Sequence, residues 1–251
     1  LKLKSATLFS LIRKESVKMS DSAVLEKKSP VDASAGKNTA AAVTIAVMDQ
    51  NPRTEIRAES PLYHAELGKL AKLGKKTGGV VFRELALLGH LTIRGSQQNS
   101  SFMNGCAQVF GCALPTKPLT TASQGTVSIR WVSPDEWLVI LPMEHTFDVE
   151  KALRGLIEGH IQIVNVSGGQ TIFELSGPDA INVLKKSAPI DFHQSEFPVG
   201  KAVNTKFAKS TAQIYRKSTD IWELVVRRSF SDYLWLWIQD ASMEYGLVVK
   251  Q

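Results

Sequence analysis

The sequence predicts an α+β fold: two pseudo-repeated β-α-β-β-α halves with largely antiparallel sheet. Three observations predict it. An alternating strand pattern, a glycine and an amphipathic helix pattern occur in that order twice, around Gly95 and around Gly177. Each copy leads into a hairpin pattern, and the two hairpins align with Asp135 over Asp220 and Trp137 over Trp222. Each hairpin then runs into a second helical pattern, Glu144–Glu158 and Ser229–Tyr245. Two copies are too few for a solenoid and indicate a duplicated half-domain.

Taken in order, residues 1–59 lack sustained periodicity and read as a disordered or extended tail. Leu1–Lys18 has a basic start, but its apolar core is too short and interrupted for a secretory signal. The first methionine is Met19, so residues 1–18 are expected to lie upstream of the true start, with an amphipathic extension as the alternative. Ala40–Met48 is the one apolar patch of the tail. Residues 60–251 are expected to form a single α+β domain with pseudo-halves at about 80–158 and 161–246.

Pro61–Leu73 reads as a short helix broken by Gly78-Gly79. Val80–Leu88 and His90–Arg94 read as strands. Gln97–Phe110 reads as a helix with Phe102, Cys106 and Phe110 on one face. Thr126–Trp131 and Trp137–Leu141 make the first hairpin, and Val149, Ala152, Leu153, Leu156 and Ile157 face inward from the helix after it. In the second copy, Thr171–Leu175 is a strand and Ser176 caps a helix with Pro178 and Asp179 in its first turn. Ala180, Ile181, Leu184 and Ala188 share one helix face, and Pro189 ends it. Ala212–Arg216 and Trp222–Val226 make the second hairpin.

In the last helix, Ser229 and Asp232 suggest a capping box, and Phe230, Tyr233, Leu234, Trp237, Ile238, Ala241 and Tyr245 form one stripe. Trp235, Leu236 and Met243 fall off that stripe. They fit either a subunit interface or a helix sandwiched inside its own domain. Arg227 and Arg228 precede the helix and either bind an acidic group or are solvated. The expected interface residues are therefore Trp235, Leu236, Met243, Arg227 and Arg228.

Composition sets limits on the chemistry. The net charge is +6, but residues 1–59 hold ten Lys/Arg against seven Asp/Glu, so half of it belongs to the tail. No basic run with interleaved aromatics follows, which argues against a nucleic-acid partner. No apolar run has the length of a membrane span, so no membrane partner is expected. Cys106 and Cys112 do not have metal-site or redox-motif spacing, and the five histidines are scattered singly. Nucleophile elbow, phosphate loop, dinucleotide fingerprint and zinc-protease motif are all missing. Ser176-Gly177 at a helix start allows an anion site, but an ordinary helix cap accounts for it more simply, because a phosphate loop needs more glycine than this.

An ordered set of short segments carries a family resemblance. They are Ser133-Pro134-Asp135-Glu136-Trp137-Leu138, Val164–Ser167, Leu175-Ser176-Gly177-Pro178-Asp179-Ala180, Pro189-Ile190-Asp191-Phe192, Phe197-Pro198-Val199-Gly200, Thr205, Arg228-Ser229-Phe230, Tyr233-Leu234-Trp235 and Tyr245-Gly246. Over Ser60 to Val249 this set resembles the gamma subunit of heterotetrameric sarcosine oxidase, a family similar in fold to the folate-binding aminomethyltransferase domain. Asn165 stands where that family usually has Asp.

The resemblance implies membership of an αβγδ complex in the cytoplasm, with alpha, beta and delta subunits as partners. It implies oxidative demethylation of sarcosine to glycine, yielding hydrogen peroxide and 5,10-methylenetetrahydrofolate. It places FAD, FMN, NAD, tetrahydrofolate and zinc on the other subunits, and no catalytic residue, cofactor or metal on this chain. The alternative is a free-standing folate-binding aminomethyltransferase-like protein. Against it, the Gly-Cys-(Tyr/Phe)-x-Gly-Gln-Glu type motif of such proteins does not occur here.

Overall fold

The computed structural model describes residues 57–251, and the expectations for Leu1–Lys18 and Ala40–Met48 lie outside them. The helices are α1 (Leu67–Leu73), α2 (Ser100–Phe110), α3 (Thr146–Leu156), α4 (Ala180–Ser187) and α5 (Ser231–Ala241). The strands are β1 (Val80–Leu85), β2 (Leu88–Arg94), β3 (Thr121–Gln124), β4 (Val127–Ser133), β5 (Glu136–Pro142), β6 (Gln162–Asn165), β7 (Gln170–Ser176), β8 (Ala202–Phe207), β9 (Ser210–Ser218), β10 (Ile221–Arg227) and β11 (Leu247–Lys250).

Two sheets result, ordered β3-β4-β5-β2-β6 and β11-β1-β7-β10-β9-β8. The duplication is visible in the pairing: β2 joins β5 as β7 joins β10, with Trp137 opposite Ile93 and Trp222 opposite Leu175. Pairing is antiparallel apart from β1 with β11. Each sheet adds strands to the expected pattern, β3 and β6 in the first and β8 and β11 in the second, β6 crossing over from the predicted second half. These strands are short or weakly alternating in sequence, so period-2 patterning did not mark them.

Alternation along the strands sends one face of each sheet to its helices. In the first sheet Leu91, Ile93, Ile129, Trp137, Val139 and Leu141 pack with Phe102, Cys106, Phe110 and Leu153 of α2 and α3. In the second, Phe82, Phe173, Leu175, Trp222, Leu224 and Val226 pack with Leu184, Leu234, Trp235 and Ile238 of α4 and α5. A third cluster of Leu138, Ile140, Ile172 and Val225 lies between the two sheets. The layers are therefore helix, sheet, sheet, helix.

Several local expectations change. β1 falls by position in the predicted first half, yet it hydrogen-bonds into the second sheet between β7 and β11. Its Val80 and Phe82 are fully buried there. Ser176 is not a cap: Asp179 takes the N-cap position of α4, and its carboxylate accepts from Asn182 Nδ2 (2.9 Å). Ser229 and Asp232 form no capping box either, because a 3-10 turn at Arg228–Phe230 precedes α5. The side-chain cap that does form is Asn99, which accepts from Phe102 N at the start of α2. The helix after the first hairpin ends at Leu156, leaving Leu156 and Ala152 exposed where burial was expected.

The insertion of β1 depends on glycine. Gly79 N donates to Tyr245 O (2.8 Å) and Asp179 N donates to Gly79 O (2.9 Å), joining three chain segments at one point. A Cβ on Gly177 would sit 2.6 Å from Gly79 O, and Gly177 has φ +101°. Both the space and the backbone conformation there exclude a side chain.

Gly177→Ala is expected to destabilise the chain by at least ~2 kcal/mol in urea unfolding, since strain and collision add. Gly125→Ala, also at positive φ but with open space around it, should lose only about 1 kcal/mol.

Candidate functional site

Two regions carry chemistry or exposed apolar surface: the layer between the sheets and the outer face of α5. The first was not expected. Arg130 on β4 is 0% exposed and forms an ion pair with Glu223 of β10, across the two sheets. Its guanidinium also stacks 4.5 Å from the Tyr215 ring centroid. Lys217 Nζ reaches Glu223 at 2.9 Å and Glu174 at 3.4 Å, and Arg83 pairs with Glu174 at 2.9 Å. Burial lowers the pKa of Arg130 and Glu223 opposes that effect, so the guanidinium keeps its charge. Burial also works against charge on Lys217, but Glu223 and Glu174 hold its pKa above the ordinary value. These residues alternate with core residues on their strands, which in sequence resembles a solvent-facing side.

His90 on β2 lies in the same layer and is 0% exposed. Its Nδ1 lies 3.1 Å from Leu88 O, and its Nε2 has no partner among the described residues. Burial, then the charge of Arg130, push its pKa from the ordinary 6.5 to about 4. It is a neutral structural histidine at physiological pH. Cys106 is likewise inert, because burial pushes its thiol up to about 12. Asp135 lies well below the usual carboxylate range because Ser133 and Arg94 hydrogen-bond to it. Asn165 Oδ1 accepts from Ser167 N and Oγ, so its side chain closes a local turn before β7. Among the described residues no group of three or more His, Cys, Asp or Glu could hold a metal ion.

The second region contains the predicted interface residues, and the structure divides them. Trp235 is not on the surface: it is 4% exposed and stacks on Phe82 with centroids 4.6 Å apart. The buried stripe of α5 runs through Ser231, Leu234, Trp235, Ile238 and Ala241, rotated from the predicted one because β1 occupies the space beneath Trp235. Leu236 and Met243 are 56% and 73% exposed. They border a shallow groove that α1 completes with Leu70, and Leu73 of α1 is also exposed. Arg227 and Arg228 are not part of this groove. Arg228 Nη1 donates to Glu59 O (3.3 Å), and Arg227 lies at the edge of the inter-sheet layer. The contribution of α1 was missed because Pro61–Leu73 is short and its leucines resemble an ordinary amphipathic face.

Residues 94–244 match the family model described as sarcosine oxidase, gamma subunit family. The chain belongs to that family. The sarcosine oxidase subunit gamma of Corynebacterium sp. (strain P-1) is 30% identical over 195 residues, spanning 77% of this chain and 93% of the relative. That of an Arthrobacter species is 30% identical over 189 residues, 74% of this chain and 91% of the relative. The heterotetrameric sarcosine oxidase from Corynebacterium sp. U-96, solved in complex with pyrrole 2-carboxylate, contains a similar chain. It gives a TM-score of 0.68 at 25% identity over 77% of this chain and 98% of that one. The glycine cleavage system aminomethyltransferase T of Bartonella henselae shares the fold at 12% identity. Its TM-score is 0.53 over 71% of this chain and 56% of that one. Among the described residues no helix is long and apolar enough to cross a membrane.

Glu223→Gln is expected to cost ~3–5 kcal/mol in urea unfolding, because Arg130 would remain buried without a counter-charge. Arg130→Met combined with Glu223→Leu should recover most of that loss.

Because the folded-state pKa of His90 is depressed, its contribution is complete above pH 6.5 and is lost as pH falls towards about 4. Over that window the chain should lose ~3 kcal/mol through this residue. Denaturation midpoints at pH 7 and pH 4.5 check this, and His90→Leu should flatten the difference.

Proposed function

We propose that this chain is the gamma subunit of a heterotetrameric sarcosine oxidase and acts there as a non-catalytic structural subunit. The observation that carries the proposal is the likeness to a chain of a solved heterotetramer along 98% of that chain's length. Its partners are the alpha, beta and delta subunits. The assembly oxidatively demethylates sarcosine to glycine, yielding hydrogen peroxide and 5,10-methylenetetrahydrofolate, with FAD, FMN, NAD, tetrahydrofolate and zinc held by the other subunits. In support of a structural role, the perturbed groups here are tied into the fold: His90 is neutral and buried, Cys106 is a buried thiol, and Arg130 is paired. Both cysteines are free, which supports a reducing, cytoplasmic setting. The free-standing folate-binding alternative has weaker support, since the aminomethyltransferase likeness is one of fold at 12% identity.

The interface we assign to this role is the apolar groove of α5 and α1, with Leu236 and Met243 as contacts, Leu70 and Leu73 beside them and Trp235 as the buried floor. Exposed Leu and Met clustered on one face stabilise a protein more when covered than when wet, by ~25 cal/mol per Å² of apolar area. The occupant is an apolar surface of another subunit of the assembly.

The test is co-expression with candidate alpha, beta and delta chains and purification through a tag on this chain. Wild type should retain the partners, and Leu236→Asp with Met243→Asp should lose them by about tenfold or more while the isolated chain unfolds at the same denaturant concentration. A wild-type chain that elutes alone and binds tetrahydrofolate at micromolar concentration would support the free-standing alternative instead.

A further inference from the structure

Three turns leave the second sheet at one end. β7 starts at Gln170, which pairs with Arg227 at the end of β10. On its other side, Ile172 of β7 pairs with Leu85 at the end of β1. Both neighbours run antiparallel to β7, so the turn Ser167–Gly169 before it, the turn Arg228–Phe230 after β10 and the turn through Leu87 after β1 share that end. Ser167–Gly169 and Arg228–Phe230 lie against each other.

The residues of these turns are poorly explained by the fold of this chain. Gly168 and Gly169 are exposed, and neither has positive φ. A Cβ at either position would meet nothing within 4 Å. Gly177 is required by both space and backbone; this pair is required by neither. Alanine there would give the unfolded chain less freedom to lose and so favour the folded state. Consecutive glycines with no internal reason fit the close approach of something from outside. On either side of them, Leu87 and Phe230 are each 42% exposed. Leu87 is also held at φ +56°, a conformation that costs a leucine energy.

Charge defines the occupant. Arg227 and Arg228 are exposed, and neither forms an ion pair among the described residues. Arg228 donates to the main-chain oxygen of Glu59, not to a carboxylate. The carboxylates near this end are engaged: Glu84 accepts from Ser60 and Thr171, and Glu59 pairs with Arg57 at 3.7 Å. Two guanidinium groups without a counter-charge, beside exposed apolar side chains, are complementary to carboxylates on a partly apolar segment.

We propose that this end of the second sheet is a second docking surface, occupied by an acidic segment of another subunit. The main chain of that segment lies against Gly168-Gly169, its carboxylates on Arg227 and Arg228, and its apolar side chains on Leu87 and Phe230. This surface presupposes the subunit role proposed above, but it shares no residue with the groove of α5 and α1, so the two can fail separately.

The test is the co-expressed assembly, purified through a tag on this chain. Gly168→Ala with Gly169→Ala should lower retention of the partner chains by about tenfold or more, while the denaturation midpoint of the isolated chain equals or exceeds that of wild type. Arg227→Glu with Arg228→Glu should lower retention at least as much. Arg227→Gln with Arg228→Gln should lower it less and leave it less sensitive to salt than in wild type. If the glycine or glutamate variant retains the partners as well as wild type does, this surface is overturned and the structural role stands. A wild-type chain that elutes alone overturns both. A lowered midpoint in the glycine variant overturns the surface too, because the pair would then serve the fold of this chain. So does a dimer of the isolated chain that the glutamate variant dissolves, since the occupant would be a second copy.

Discussion

The pairing of Arg130 with Glu223 links the two sheets, and much of the architecture follows from it. A fully buried guanidinium is tolerated only with a counter-charge in contact, so β4 and β10 must face each other in one register. The cation stack on Tyr215 and the bridge from Lys217 to Glu174 extend the same constraint along the second sheet. Apolar residues such as Leu138 and Val225 contribute burial beside it but do not select a register, since aliphatic contacts are non-directional. The duplicated halves are therefore joined face to face by charge complementarity and only locally by hydrophobic contact.

A second constraint acts at the opposite side of the second sheet. Gly78 and Gly177 let three backbone segments approach more closely than a side chain permits, Gly79 leaves room for the Asp179 carboxylate, and Gly246 takes a positive φ beside them. That approach admits β1 between β7 and β11, and β1 in turn supplies Phe82 beneath Trp235. With Trp235 turned inward as the floor, Leu236 of α5 and Met243 in the turn after it are left facing outward. The candidate interface is thus a consequence of the glycine junction as much as of the helix that carries it.

The region between the sheets differs from the two helix-covered cores. Those cores are packed with aromatic and aliphatic side chains, including the Trp222, Phe192 and Phe197 cluster, with centroids 5.2–5.7 Å apart. The middle layer mixes an aliphatic plug with ion pairs, a neutral histidine and unpartnered amides. His90 makes the layer sensitive to acid.

The duplication, the α+β class and the antiparallel pairing were legible in the sequence, because alternation, helical spacing and the aligned tryptophans Trp137 and Trp222 are local signals. The burial of Phe102, Cys106 and Phe110 was legible for the same reason. The family was legible from the order of its short segments. The destination of β1, the inward turn of Trp235 and the share of α1 in the groove were decided only by tertiary structure, since each depends on a partner distant in the chain. So was the burial of Arg130, Glu174, Gln213 and Glu223. Polar residues alternating with core residues mark the second face of a strand, and sequence assigns that face to water; here another sheet covers it, and neither half's local pattern contains the fact that the other half will be there.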